Sequence, residues 1–118
     1  EALVATRASL AYDAGLDGVV SSPLEAASVR ARVGSSFEIV TPGVRPHGSS
    51  TDDQRRIATP GDAISWGASR LVVGRPITRA EDPATVAAQI LGEIEAALDD
   101  FEKRWTELQL QGLVKKVA

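Results

Sequence analysis

Two segments of the chain combine an apolar run with residues suited to holding phosphate. In the first, residues 72–78, the run ends in Gly74 and Arg75 follows directly. A glycine lets a ligand approach the backbone closely, and an arginine can hold a phosphate through two parallel hydrogen bonds. The segment predicts a phosphate-binding corner formed by the amides of both residues and the guanidinium. The alternative is a rigid turn with an arginine in solvent.

The second segment, residues 41–48, opens a long loop that reaches Thr59. The segment contains Arg45, and the loop carries Gln54, small hydroxyl residues and two further arginines. Loops longer than about 12–15 residues without secondary structure of their own are usually functional or disordered. This composition suits a flap that closes over a phosphate-bearing ligand. The alternative is a solvated surface loop.

Residue types that are absent or scarce exclude several kinds of chemistry. The 118 residues include no cysteine and one histidine, which excludes thiolate catalysis, disulfides and multi-histidine metal sites. The net charge is −3, so we expect no nucleic-acid partner. No stretch approaches the roughly 20 apolar residues of a membrane span. We therefore expect no metal, no membrane partner and a cytoplasmic location.

A repeated pattern of helices and strands must position the two segments. Amphipathic stretches end at glycines, and short β-branched runs follow them. The pattern predicts helices over 2–13, 23–33, 60–67 and 83–110, and strands over 18–22, 37–41 and 71–74. Alternating helices and strands indicate an α/β fold with parallel strands that are buried on both faces.

Helix ends carry capping signals. Residues 22–25, Ser-Pro-Leu-Glu, predict a capping box in which the hydroxyl and the carboxylate each bind a backbone N–H. Thr59 and Asp82, each followed by proline, predict the starts of two further helices. Helix ends that favour a positive φ are predicted at Gly15, Gly34 and Gly67.

Three strands are too few for the closed barrel that alternating strands and helices usually form. Eight-stranded βα barrels have about 250 residues and often bind phosphate after strands seven and eight. We therefore expect the C-terminal portion of a (β/α)8 TIM barrel, with three parallel strands alternating with helices, plus a long C-terminal helix. Residues 1–98 form the half-barrel in this interpretation, and residues 99–118 form a helical extension and tail. The alternative is a small three-stranded layer whose edges another chain covers.

The last predicted helix carries an apolar seam with heptad spacing. Its members are Leu91, Ile94, Leu98, Phe101, Trp105 and Leu108. Such a seam packs either on its own barrel or on another subunit. Both interpretations are open at this point.

Four segments, in order along the chain, resemble orotidine 5'-phosphate decarboxylases. They are residues 15–22, 40–46, 52–60 and 73–83. In that family Cys-Ser is commoner than the Ser21-Ser22 pair found here.

The resemblance implies a (β/α)8 barrel, normally a homodimer, that converts orotidine 5'-monophosphate to UMP and carbon dioxide without a metal or an organic cofactor. It implies that Arg45, Gln54, Gly74 and Arg75 bind the substrate phosphate. It also implies that Ser22 contacts the pyrimidine edge.

The chain departs from this family at the catalytic residues. The family uses an Asp-x-Lys-x-x-Asp array and an earlier lysine, whereas the only lysines here are Lys103, Lys115 and Lys116. We expect no catalytic residue in this chain, which alone would be inactive. Its partners would be the nucleotide substrate, a second polypeptide supplying the missing N-terminal half, and another copy of the complete enzyme in a homodimer. The alternatives are a related sugar-phosphate decarboxylase or aldolase-type barrel, and a non-catalytic phosphate-binding or assembly fragment.

Overall fold

A computed structural model describes residues 2–46 and 58–111, apart from the side chains of residues 105, 108 and 109. The elements are helix α1 (Ala2–Asp13), strand β1 (Gly18–Val20), a 3-10 turn (Pro23–Glu25), α2 (Ala26–Val33), β2 (Glu38–Thr41), α3 (Pro60–Ser65), β3 (Arg70–Leu71), α4 (Arg75–Thr78) and α5 (Pro83–Leu110). The strands pair in the order β1-β2-β3, and both pairings are parallel. The predicted α/β class with three parallel strands is confirmed.

Helix boundaries follow the sequence signals more closely than strand boundaries do. Helices α1 and α5 have the predicted ranges. Strand β3 covers Arg70–Leu71 where residues 71–74 were expected, and Gly74 is the N-cap of α4 instead of a strand residue. The sequence reading missed α4, although Pro76 lies in its first turn, where a missing N–H is tolerated.

Two of the predicted N-caps are present. The Thr59 hydroxyl accepts a hydrogen bond from the Asp62 amide at 3.1 Å. The Asp82 carboxylate accepts bonds from the hydroxyl and the amide of Thr85, at 2.6 and 3.3 Å. These bonds stabilise the charged carboxylate, and the hydroxyl bond is the main cause of the lowered pKa of Asp82.

The predicted capping box at residues 22–25 is wrong. The Ser22 hydroxyl lies 3.1 Å from the Glu25 Oε2 atom and makes no cap bond to the backbone. The Glu25 amide instead bonds to the Ser22 carbonyl oxygen at 3.1 Å, as a 3-10 turn requires. The side chains therefore pair with each other, because an ionised carboxylate is a strong acceptor for a hydroxyl.

The predicted helix-ending glycines have positive φ angles. The values are +86° at Gly15, +80° at Gly34 and +113° at Gly67. At Gly67 space is also restricted, because an added Cβ would lie 2.9 Å from the Cβ of Arg30. A side chain at residue 67 would therefore meet both backbone strain and a steric clash.

Two apolar clusters hold helices against one face of the sheet. The first joins α1, α2 and β2 through Ala8, Ala26, Val29, Val33, Phe37 and Ile39. The second lies around α3 and consists of Val44, Ala63 and Ala68, with Leu71 and Val73 packed against it. Tyr12 and Phe37 extend the first cluster with an edge-to-face contact, their ring centroids 5.5 Å apart.

The prediction that the strands are buried on both faces is wrong in the described part of the chain. Val20 is 73% exposed and Val72 is 52% exposed. Side chains alternate across a strand, so Val20 lies on the face opposite the one that Val19 presents to the first cluster. In a closed barrel this second face is filled by side chains of the other strands, and three strands supply only some of them.

Helix α5 packs on α3 and α4 through a face different from most of the predicted seam. Ile90 and Ala97 are buried, whereas Leu91, Leu98 and Phe101 are half-exposed or more. The exposed fractions of these three residues do not decide between the two interpretations of the seam, and both stay predictions. The side chains of residues 105 and 108 lie outside the described set. The division at residue 98 stays a prediction, and α5 continues across it.

No helix among the described residues is both long and apolar enough to cross a membrane.

Candidate functional site

The carboxyl edge, where the three strands end, collects the predicted ligand-binding segments. Ser22 follows β1, Arg45 follows β2 and Gly74 follows β3. The backbone ladder continues past the strand ends, with the Ser21 amide bonded to the Val40 carbonyl oxygen at 2.9 Å. On the other side of β2, the Val72 amide bonds to the Thr41 carbonyl oxygen at 2.9 Å. The three segments therefore leave the sheet side by side, in the order of the strands.

Arg45 is held at the base of the long loop. Its amide donates to the Ala58 carbonyl oxygen at 2.9 Å, and Val44 and Ala58 form a parallel bridge. Val44 is 2% exposed and anchors this bridge in the second apolar cluster, while Arg45 itself is 9% exposed. A guanidinium shielded from water binds an anion more strongly than one in solvent. Arg45 is thus well placed to bind a phosphate.

Gly74 and Arg75 form the junction between β3 and α4. The Gly74 carbonyl oxygen accepts hydrogen bonds from the amides of Ile77 and Thr78, at 2.9 and 3.0 Å. A Cβ added at Gly74 would meet no heavy atom within 4 Å, so the space above this backbone is open. Arg75 is the first residue of α4, and Gly74 is the N-cap of that helix. The junction can therefore present backbone donors and one guanidinium to an anion.

Ser22 lies at the edge of a cavity of about 270 Å³ beside β1, lined also by Arg7 and Glu25. Its hydroxyl donates to Glu25, which leaves the serine oxygen to act as an acceptor. Sequence reasoning assigned Glu25 to a helix cap and so missed this pairing. Gln54, the remaining predicted phosphate ligand, lies outside the described residues.

A second polar cluster lies at the opposite edge of the sheet, where the strands begin. The Ser69 hydroxyl donates to Glu38 Oε2 at 2.7 Å, and Arg70 Nε lies 3.3 Å from the same oxygen. The serine bond, with a smaller effect of Arg70, lowers the pKa of Glu38. Glu38 and Ser69 are 31 residues apart, so no local sequence signal marked the pair. It ties β2 to the start of β3, far from the candidate site.

The site has no evident machinery for bond breaking within residues 2–46 and 58–111. No group of three or more histidine, cysteine, aspartate or glutamate side chains in that part of the chain could hold a metal ion. The first lysine of the sequence, Lys103, lies on α5. The arrangement can bind an anion and position what is attached to it.

A parallel βα layer whose strands end at one shared edge has the architecture of part of a βα barrel. The model of the Orotidine 5'-phosphate decarboxylase / HUMPS family matches residues 1–90. The chain belongs to this family.

Similar proteins agree with this assignment. The chain is 53% identical over 100 residues to an orotidine 5'-phosphate decarboxylase of Syntrophotalea carbinolica, with 85% of this chain and 41% of the relative covered. It is 57% identical over 95 residues to that of Moorella thermoacetica, covering 80% of this chain and 38% of the relative.

Solved structures of the family have the same fold. The orotidine 5'-phosphate decarboxylase of Lactobacillus acidophilus superposes with a TM-score of 0.65 at 42% identity, covering 77% of this chain and 36% of the other. That of Pyrococcus horikoshii gives a TM-score of 0.62 at 26% identity, covering 80% and 42%. The chain spans about two-fifths of the length of the curated relatives it matches. Its fold is therefore that of a partial α/β barrel.

Proposed function

We propose that the chain supplies the phosphate-binding edge of an orotidine 5'-phosphate decarboxylase, which converts orotidine 5'-monophosphate to UMP and carbon dioxide. The observation that carries the proposal is the juxtaposition of Arg45 with the Gly74-Arg75 junction after neighbouring strands of a family member. Relatives with this activity in their names are more than half identical to the chain.

In this proposal Arg45, Gly74, Arg75 and the loop residue Gln54 bind the 5'-phosphate. The two guanidinium groups neutralise the dianion, and the Gly74-Arg75 backbone approaches it through the open space above the glycine. The phosphate is remote from the carbon that loses carbon dioxide. Its binding energy can therefore be used to position the pyrimidine for reaction.

Ser22 is assigned to the pyrimidine edge. Because the Ser22 hydroxyl donates its hydrogen bond to the Glu25 carboxylate, the lone pairs of the serine oxygen can accept from a ring N–H donor. Ser22, Arg45 and Gly74 follow three successive strands. A nucleotide can thus lie along the carboxyl edge, with its base towards β1 and its phosphate towards β3.

Catalysis is assigned to a complementary N-terminal polypeptide that carries the Asp-x-Lys-x-x-Asp array. Residues 1–102 contain no lysine that could protonate the carbanion left by decarboxylation. The open second face of the sheet and the outer edges of β1 and β3, which no other strand among the described residues pairs, support such a partner, since a closed barrel would cover all three. We further propose that the complete enzyme is a cytoplasmic homodimer and that this chain alone is inactive.

A reconstitution experiment tests the activity. The chain would be co-expressed with the N-terminal three-fifths of the Moorella thermoacetica relative, and decarboxylation of orotidine 5'-monophosphate measured against each polypeptide alone. We expect turnover by the pair only. Turnover by this chain alone would refute the division of roles, and an assembled pair without turnover would favour a non-catalytic phosphate-binding fragment.

Arg75→Ala tests the phosphate site in the same assembly. Loss of a charged hydrogen bond should weaken UMP binding by about 1.5–3 kcal/mol, measured by calorimetry. Arg79→Ala is the matched control, because Arg79 is an exposed arginine one turn further on. Equal affinities in the two variants would remove Arg75 from the site.

A further inference from the structure

Ser22 and Glu25 are brought together by the turn that follows β1. The turn is a 3-10 helix over Pro23–Glu25, and its geometry places side chains three residues apart directly above each other. The Ser22 hydroxyl accordingly lies 3.1 Å from Glu25 Oε2. The spacing that predicted a helix cap therefore produces a pair of side chains at the carboxyl edge of the sheet.

The backbone of this turn is fixed on both sides of the pair. The Ser22 carbonyl oxygen accepts hydrogen bonds from the Glu25 amide at 3.1 Å and from the Ser21 hydroxyl at 3.2 Å. The Glu25 carbonyl oxygen accepts from the Ser28 hydroxyl at 3.1 Å, which ties the pair to α2. Pro23 is fully buried, and its ring restricts its φ. Ser22 and Glu25 are thus held in one relative position.

The pairing decides what the Ser22 oxygen offers to a ligand. A hydroxyl has one proton and two lone pairs, whereas an ionised carboxylate can only accept. Because the proton is directed to Glu25, the Ser22 oxygen faces a ligand as an acceptor. Without a carboxylate at residue 25, the hydroxyl is able to rotate and to donate its proton to the ligand instead.

Pyrimidine bases differ in the group that meets this oxygen. The uracil ring of UMP and the orotate ring carry an N–H at ring atom N3, whereas cytosine has an unprotonated acceptor nitrogen there. An acceptor that faces an acceptor leaves both groups without a hydrogen bond and removed from water. A site built around a hydrogen bond rejects a ligand that cannot make it more strongly than an apolar pocket does.

We propose that Glu25 is a positioning residue that selects the base. It keeps the Ser22 hydroxyl oxygen as an acceptor and so favours a pyrimidine with a ring N–H over one with a ring acceptor. Glu25 acts through Ser22 and does not itself contact the base. For the placement of the pyrimidine at Ser22, this inference rests on the proposed function.

The ratio of UMP affinity to CMP affinity tests this role, because the two nucleotides share the ribose phosphate and differ only in the base. Calorimetry would measure both affinities in the assembly with the co-expressed Moorella thermoacetica polypeptide. The variants are Glu25→Ala, Ser22→Ala and the two combined. Glu25→Met keeps a side chain of similar length without an acceptor, and it replaces Glu25→Ala if that variant does not fold. Glu95→Ala is the control, because it removes an exposed carboxylate on α5.

We expect Glu25→Ala and Glu25→Met to lower the UMP-to-CMP ratio by about tenfold or more, because the released hydroxyl can donate to the cytosine nitrogen. Ser22→Ala should also lower the ratio. Adding Glu25→Ala to Ser22→Ala should change it no further, because Glu25 acts through Ser22. Glu95→Ala should leave the ratio unchanged. A purely structural role of Glu25 would weaken the binding of both nucleotides together and keep the ratio.

Three results would overturn the proposal. They are equal affinities of the unaltered chain for both nucleotides, a ratio that Glu25→Ala and Glu25→Met leave unchanged, and a further fall when Glu25→Ala is added to Ser22→Ala. Arg75→Ala should weaken UMP and CMP by the same factor, since both carry the phosphate, so a defect of the phosphate site keeps the ratio. If neither nucleotide binds, the proposed function is refuted and this inference with it.

Discussion

Replacement of Arg30 by alanine should destabilise the fold more than the same replacement of Arg32, an exposed arginine of α2. Its guanidinium binds three backbone carbonyl oxygens at the end of the sheet where the strands begin. Nη1 lies 2.7 Å from the Gly34 oxygen and 2.6 Å from the Phe37 oxygen. Nε and Nη2 lie 3.0 and 2.8 Å from the Gly67 oxygen. One side chain therefore joins the ends of α2 and α3 to the start of β2.

The magnitude follows from the surroundings of each acceptor. The Gly34 oxygen is exposed, and water can replace the arginine there. The bonds to Phe37 and Gly67 are partly buried, so each contributes about 1–1.5 kcal/mol after a discount for solvent. The favourable placement of a cation at two helix C-termini is included in this range. The sum is about 2–3 kcal/mol of unfolding free energy, or roughly 6–12 °C in the thermal midpoint.

Thermal unfolding followed by circular dichroism would measure this loss. Arg32→Ala is the matched control, since Arg32 is an exposed arginine on the same helix. Arg30→Lys should recover only a minor part, because an ammonium cannot present the planar fork that reaches all three carbonyls. Equal midpoints for Arg30→Ala and Arg32→Ala would refute the reasoning.

Three further substitutions probe other local features of the fold. Gly67→Ala should lower the unfolding free energy by about 1–3 kcal/mol because of its positive φ, and by less in a chain that also carries Arg30→Ala. If urea unfolding shows that the losses of the two substitutions simply add, the contact between the two residues is contradicted. Thr59→Ala should lose about 1 kcal/mol of unfolding free energy with its N-cap, and Thr59→Ser should restore most of it. Ser69→Ala should raise the pKa of Glu38 towards its ordinary value in an NMR titration. The bond to ionised Glu38 stabilises the fold fully above the pKa of Glu38 in the unfolded chain, and this stabilisation is lost as pH falls through its lowered pKa in the folded chain. A difference in unfolding free energy between Ser69→Ala and the unaltered chain that grows in acid would contradict this.

The candidate site was more predictable from sequence than the contacts that hold the fold together. The placement of Arg45 and Gly74 at one edge was predictable because each follows an apolar run and parallel strands end at the same edge. The Arg30 bonds to Gly67 link residues 37 apart, and no periodicity marks such a pair. A local pattern can also mislead. Ser22 satisfies the capping-box pattern, but its hydroxyl binds the Glu25 carboxylate in the folded chain instead of a backbone N–H. Local sequence patterns predict helices and strands, whereas contacts between residues far apart in the sequence decide which polar groups meet.

Two exposed valines show why the prediction of strands buried on both faces failed in the described chain. Val20 and Val72 lie on apolar runs whose neighbours, Val19 and Val73, pack under the helices. A sheet with one face in water normally alternates apolar and polar residues, and these runs do not. Covering the remaining exposed area of both valines would contribute about 2–4 kcal/mol together. Such a gain is available only if further strands cover the second face. The same valines that are exposed in the described chain therefore lie on the face that the other strands cover in a complete barrel.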